Sequence, residues 1–177
     1  MGTVVVHKAI SLDGYATGPR DDLSRLHAWM DSPAAFPASA AFFDAGAVIM
    51  GRRTYDLGQE HWGDDEVFPF PAFVLTHEHR EPVTRGGTTY TFVDAADEAM
   101  RLAQATAGEQ RVNLMGIDVT RQYLAAGMVD ELRIHLVPVV LGAGTPLFAP
   151  GSTVELETVE WTVIEGVSHT RFRVVRH

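Results

Sequence analysis

Apolar residues fall along the chain in short blocks with two rhythms. Residues 3–10 are rich in β-branched side chains and read as a buried first strand, ended by Ser11-Leu12-Asp13-Gly14, where Asp and Gly supply turn chemistry. Leu23, Leu26 and Met30 recur at helical spacing, and residues 34–45 are alanine-rich with Phe42 and Phe43 paired, so two helices are predicted there. Residues 47–50 are wholly apolar and run straight into Gly51-Arg52-Arg53-Thr54-Tyr55, a strand-to-helix junction. Residues 59–71 carry no period and predict a loop, whereas 72–76 and 88–93 read as strands. Residues 94–107 predict a helix closed by Gly108, and 111–115 a further strand. After Gly116, residues 119–126 form a helix with Gly127 where a left-handed cap falls.

Strand and helix in alternation argue for an α/β fold with a mostly parallel sheet covered on both faces. The tail differs: residues 131–140, 154–164 and 170–175 read as strands with no helix between them, so the sheet ends in antiparallel C-terminal strands. No linker, repeat or low-complexity stretch interrupts the pattern, and a single domain over residues 1–177 is expected. Such a chain, 46% hydrophobic, hides roughly 70% of its unfolded surface and needs no disulfide or structural metal.

Composition removes whole classes of chemistry. There is no cysteine, which excludes thiol nucleophiles, iron–sulfur clusters, Cys-based zinc sites and a zinc deaminase. Fourteen basic against 23 acidic residues give a net charge of −9, so nucleic acid is not an expected partner. The N-terminus lacks a secretory pattern and no apolar run reaches about 18 residues, so a cytoplasmic protein without membrane attachment is expected.

The two glycine junctions, Gly51 and Gly116, are the most informative local feature. In an open parallel sheet, ligands bind at the carboxyl ends of strands, and a glycine there lets a phosphate approach the free N–H groups of the next helix. Arg52, Arg53 and Thr54 add side-chain donors. Neither G-x-G-x-x-G nor G-x-x-x-x-G-K-[ST] occurs, which disfavours a Rossmann domain or a P-loop enzyme. Asp13 leaves the first strand at the same end, where a carboxylate orients a polar substrate, although Asp-Gly is also an ordinary turn. Among eight histidines there is no H-E-x-x-H, and His77-x-His79 has no carboxylate clearly placed beside it; no metal site is expected. His135 reads as a partly buried sheet residue, Trp29 and Trp161 as core, and Trp62, beside His61 and Gly63, as a pocket lid or simple packing.

Ser11-Leu12-Asp13-Gly14, Met50-Gly51-Arg52-Arg53-Thr54-Tyr55, Val74-Leu75-Thr76, the run from Thr120 to Leu132 and Pro138-Val139-Val140-Leu141-Gly142-Ala143-Gly144 together resemble the dihydrofolate-reductase-like superfamily. The likeness is to the branch containing the reductase domain of the bacterial riboflavin-biosynthesis deaminase/reductase. It implies a three-layer α/β/α fold and NADPH-dependent reduction of a small polar heterocyclic or ribosylamino molecule, with a homodimer as the assembly. It further implies that Gly51, Arg52, Arg53 and Thr54 bind cofactor phosphates, that Thr76 and His77 approach the adenosine 2′-phosphate, and that Met115, Gly116, Ile117 and Asp118 hold the pyrophosphate. Asp13, supported by Ser11, matches the position near substrate and nicotinamide. The family's paired glycines are here Met115-Gly116, and the methionine crowds a close backbone approach. Dihydrofolate reduction and a non-enzymatic ligand-binding role stand as alternatives.

Overall fold

The computed structural model describes residues 2–62 and 67–176. In chain order the elements are β1 (Val4–Ser11), β2 (Tyr15–Thr17), α1 (Ser24–His27), α2 (Phe36–Ala40), β3 (Ala47–Gly51), α3 (Arg52–His61), β4 (Ala72–Leu75) and β5 (Val83–Arg85). They continue with β6 (Thr88–Val93), α4 (Ala96–Ala107), β7 (Val112–Met115), α5 (Ile117–Ala125), β8 (Glu131–Val137), β9 (Thr145–Pro146), β10 (Leu156–Ile164) and β11 (Val167–Val174). They gather into two compact units, one of the residues up to Val4 with Phe43–Val119, the other of Val5–Phe42 with the chain from Thr120 onward.

In the first unit the strand order is β7-β3-β4-β6-β5, parallel except for β5, which forms a hairpin with β6. β3 and β4 are apolar throughout, and β7 is apolar but for the buried Asn113, because both sheet faces are covered; Val48, Ile49, Met50, Val74 and Val112 have no exposed surface. α4 turns Ala99, Met100, Ala103 and Ala107 onto β3 and β4, one face at helical spacing. Register sets Met50 opposite Met115 and Gly51 opposite Leu75, so β3, β4 and β7 end at one level.

In the second unit the order is β10-β11-β8-β1, with β1 and β8 parallel and the C-terminal strands antiparallel, as the sequence predicts. Ala9, Leu26, Val137 and Val167 form a core against which Trp29, Val139 and Leu141 pack. β2 pairs with β9 in a separate two-stranded ladder.

Several elements differ from expectation for identifiable reasons. The two early helices are short, four and five residues, broken by 3₁₀ turns at Ala28–Asp31 and Pro33–Ala35; proline, lacking an N–H, is tolerated only in a first turn. β8 stops at Val137 because Pro138 cannot donate to the ladder, and Val139 instead accepts from Leu12 N at 2.8 Å. Residues 59–61, expected in a loop, are the last turn of α3, while residues 63–66 of that loop lie outside the described residues. Trp161 is not core: it is 65% exposed on the edge strand β10. Trp29 is partly buried and stacks beside His135. Trp62 packs on Phe68 and against Gly58, where a Cβ would meet its ring at 2.3 Å, which favours simple packing over a lid.

Candidate active site

The first unit brings both glycine junctions together. Gly51, extended at φ −79° and ψ 157°, precedes the first turn of α3. Gly116 follows β7 with φ +103°, a conformation side-chain-bearing residues rarely adopt. A Cβ on Gly116 would lie 2.6 Å from Thr54 Oγ1 and 3.8 Å from Gly51 N, so the bare Cα of one junction rests against the other. The opening N–H groups of a helix have no intrahelical acceptor and carry partial positive charge. Two such openings side by side suit a diphosphate. Met115 is the last residue of β7, in the ladder opposite Met50; the close approach that only glycine permits falls on Gly116.

The other expected cofactor residues divide by what their side chains are doing. Arg53 is exposed, and Thr54 is half-buried at the Gly116 contact. Arg52 is committed elsewhere: its Nη1 donates to Glu78 Oε1 at 2.7 Å and lies 3.8 Å from Asp56. Thr76 is buried, donating its N–H to Val93 O and accepting from Glu78 N at 3.1 Å on its hydroxyl; His77 is exposed beside it. Ile117 is partly buried. Asp118 puts a carboxylate in the first turn of α5, where it stabilises the helix end, so an anion there is suited by the backbone rather than by this side chain.

Asp13 and Ser11 meet in the second unit. Asp13 Oδ1 accepts from Leu141 N at 3.1 Å and Oδ2 from Gly142 N at 2.8 Å, while the Ser11 hydroxyl also bonds the carboxylate. Ser11, fully buried, accepts from Tyr15 N at 2.9 Å. The Ser11 hydrogen bond, then those from Gly142 and Leu141, draw the Asp13 pKa down to about 2. Asp13 is therefore an anion at neutral pH, unable to act as a proton donor, and it clamps the turn after β1 to the loop before β9. Gly144 completes that clamp, since a Cβ there would fall 1.9 Å from Thr17 O.

Sequence reasoning missed two groups. Glu78, inside the His77-x-His79 stretch, and Arg80, just after it, carry no role in the sequence reading, yet Arg80 reaches Glu78 Oε2 through Nη2 at 2.6 Å and sits 5.5 Å from the centre of the Phe92 ring. In the second unit, His7, His135 and His169 line a cleft of about 300 Å³ with Pro37, Arg133 and Arg171. His135 and His169 share a 2.6 Å Nδ1–Nδ1 hydrogen bond, and burial pushes both below the usual imidazole range, His135 to about 2. His135 is visible in sequence as a sheet residue; the β8–β11 register sets His169 opposite it, and the β1–β8 pairing brings His7 beside it. Among the described residues no group of three His, Asp or Glu is placed to hold a metal, and no helix is long and apolar enough to cross a membrane.

Comparison with known proteins places this geometry. No curated protein sequence matches the chain. Among solved structures it is similar to a putative riboflavin biosynthesis protein from Shewanella sp. PV-4, with TM-score 0.78 and 25% identity over 98% of this chain and 99% of that one. It is similar in fold to a pyrimidine reductase-like protein from Corynebacterium diphtheriae, with TM-score 0.70 and 14% identity over 99% and 93% of the two chains. It is also similar in fold to a diaminohydroxyphosphoribosylaminopyrimidine deaminase/5-amino-6-(5-phosphoribosylamino)uracil reductase from Thermotoga maritima, with TM-score 0.68 and 15% identity over 98% of this chain and 57% of that one. The family model for the RibD C-terminal domain matches residues 2–169, and the chain therefore belongs to that family.

Proposed function

We propose that this chain is an NADPH-dependent reductase of a small polar heterocyclic or ribosylamino substrate, similar to the 5-amino-6-(5-phosphoribosylamino)uracil reductase of riboflavin biosynthesis. The observation that carries the reading is the pair of junctions at Gly51 and Gly116, with a +103° glycine fitted against Thr54. NADPH, when bound, supplies a hydride. The chain's task is placement. The opening N–H groups of α3 and α5 hold the phosphates, with Thr54 and Arg53 adding donors, and Thr76 and His77 meet the adenosine end. Asp13, ionised and held by Ser11, Leu141 and Gly142, orients an N–H-bearing or cationic substrate group by charge. A proton needed by the product comes from another donor, because a carboxyl group this acidic holds none at neutral pH.

Calorimetric titration tests the reading. Micromolar NADPH binding that weakens about tenfold in Thr54→Ala, with NADPH oxidation on adding an aminouracil riboside substrate, is the expected result. Oxidation on dihydrofolate alone would instead make it a dihydrofolate reductase. A second reading, a ligand-binding protein without productive cofactor use, is favoured by the Arg52–Glu78 ion pair, which ties up a phosphate donor. Absence of binding of both NADPH and NADH would support it. Val159, Trp161 and Val163 are exposed large apolar side chains on the edge strand β10 and support a homodimer, which sedimentation of the wild type and Trp161→Glu would separate from a monomer.

A further inference from the structure

The carboxyl end of β4 carries a small ionic cluster that neither the fold nor the glycine junctions require. Gly51 and Leu75 are register partners, so the residues after Leu75 begin beside the α3 junction. The Thr76 hydroxyl takes the Glu78 N–H at 3.1 Å and fixes the backbone there. Glu78 then spends both carboxylate oxygens on guanidinium groups: Oε1 accepts from Arg52 Nη1 at 2.7 Å, and Oε2 from Arg80 Nη2 at 2.6 Å and Nε at 3.1 Å. Asp56 lies 3.8 Å from both arginines. Arg80 is further held over the face of Phe92. An anion gripped by two guanidinium forks is the arrangement a phosphate takes. Here the chain itself supplies the anion.

We infer that Glu78 sets the discrimination between nucleotides with and without a 2′-phosphate, occupying with its own carboxylate the place between Arg52 and Arg80 that such a phosphate would fill. This rests on the reading that the first unit binds a nicotinamide dinucleotide. With Glu78 and Asp56 present, the two arginines are neutralised, so an added phosphate gains little and meets a like charge. A ribose hydroxyl, by contrast, can donate to Glu78, as acidic residues at the end of a neighbouring strand do for a 2′-hydroxyl. The preference for NADPH over NADH is held down accordingly. All four charged side chains are about one-third to one-half exposed, so changing Glu78 does not threaten the fold.

The test is equilibrium binding of NADPH and NADH, by calorimetry and nicotinamide fluorescence, to the wild type, Glu78→Gln and Glu78→Gln/Arg80→Ala. The expected result is an NADPH/NADH affinity ratio raised about tenfold in Glu78→Gln, since a like charge is removed and two guanidiniums are freed. The ratio should fall back in the double variant and show a steeper salt dependence in the single one. A ratio that moves less than about twofold, with both nucleotides still binding, overturns this assignment and leaves the reductase reading intact. Binding of neither nucleotide to the wild type overturns both.

Discussion

Gly116→Ala probes the junction on which the functional reading depends. At φ +103° an alanine sits outside the ordinary left-handed well, a strain of about 1–3 kcal/mol. Its Cβ would stand 2.6 Å from Thr54 Oγ1, so the β-branched Thr54 must leave its rotamer at a further cost of about 0.5–1.5 kcal/mol. The lost chain entropy of glycine in the unfolded state offsets about 0.4–1 kcal/mol. The net destabilisation is about 2–3 kcal/mol, or about 4–12 °C in Tm for a chain of this length. Urea unfolding of Gly116→Ala, Thr54→Ala and the double variant separates the two contributions. Removing the threonine hydroxyl relieves the contact and leaves the dihedral strain, so the double variant is more stable than the sum of the singles by about 0.5–1.5 kcal/mol. An alanine variant within about 0.5 kcal/mol of wild type would refute both the positive dihedral and the tight junction.

Asp13→Asn keeps the shape of the clamp and removes its charge; turnover is expected to fall while NADPH affinity is unchanged. The folded pKa of Asp13, about 2, lies below the ordinary 3.8, so its stabilising contribution is complete above that value and lost as pH falls through about 2. An acid limb in the pH–rate profile between about pH 5 and 8 that vanishes in Asp13→Asn would contradict this. The buried histidines act in the opposite range. His135 stays neutral in the fold while its unfolded counterpart protonates below about 6.5, so stability falls as pH drops, by about 1.4 kcal/mol between pH 7.5 and 5.5 from His135 alone. His27 and His169 act in the same direction. Denaturant melts at the two pH values should show a smaller difference in His135→Gln, and an unchanged difference would refute the account.

Local pattern carried much of this molecule. The largely apolar blocks became β3, β4 and β7, with Asn113 of β7 the one polar residue among them, because a strand buried on both faces has no solvent-facing positions to alternate. Gly51 and Gly116 were legible because each ends such a block and opens a helix. β5, β2 and β9 were not, since two- and three-residue strands carry no periodicity and are defined by their partners. Trp161 was misread because strand pattern shows that a side chain alternates and not whether anything covers the outer strand.

The α/β alternation, the antiparallel tail, the absence of cysteine chemistry and the residue types at both glycine junctions were thus determined by sequence alone, through local propensity and composition. Tertiary structure decided what those residues do. Asp13 became an anchored anion once the loop at 141–142 folded back on it, across a separation of 128 residues. Arg52 became half of a neutralised pair when strand register brought Glu78 within 2.7 Å. Hydrogen bonds and ion pairs act over a few ångströms in space, and one-dimensional spacing cannot show which distant groups will fall within that range.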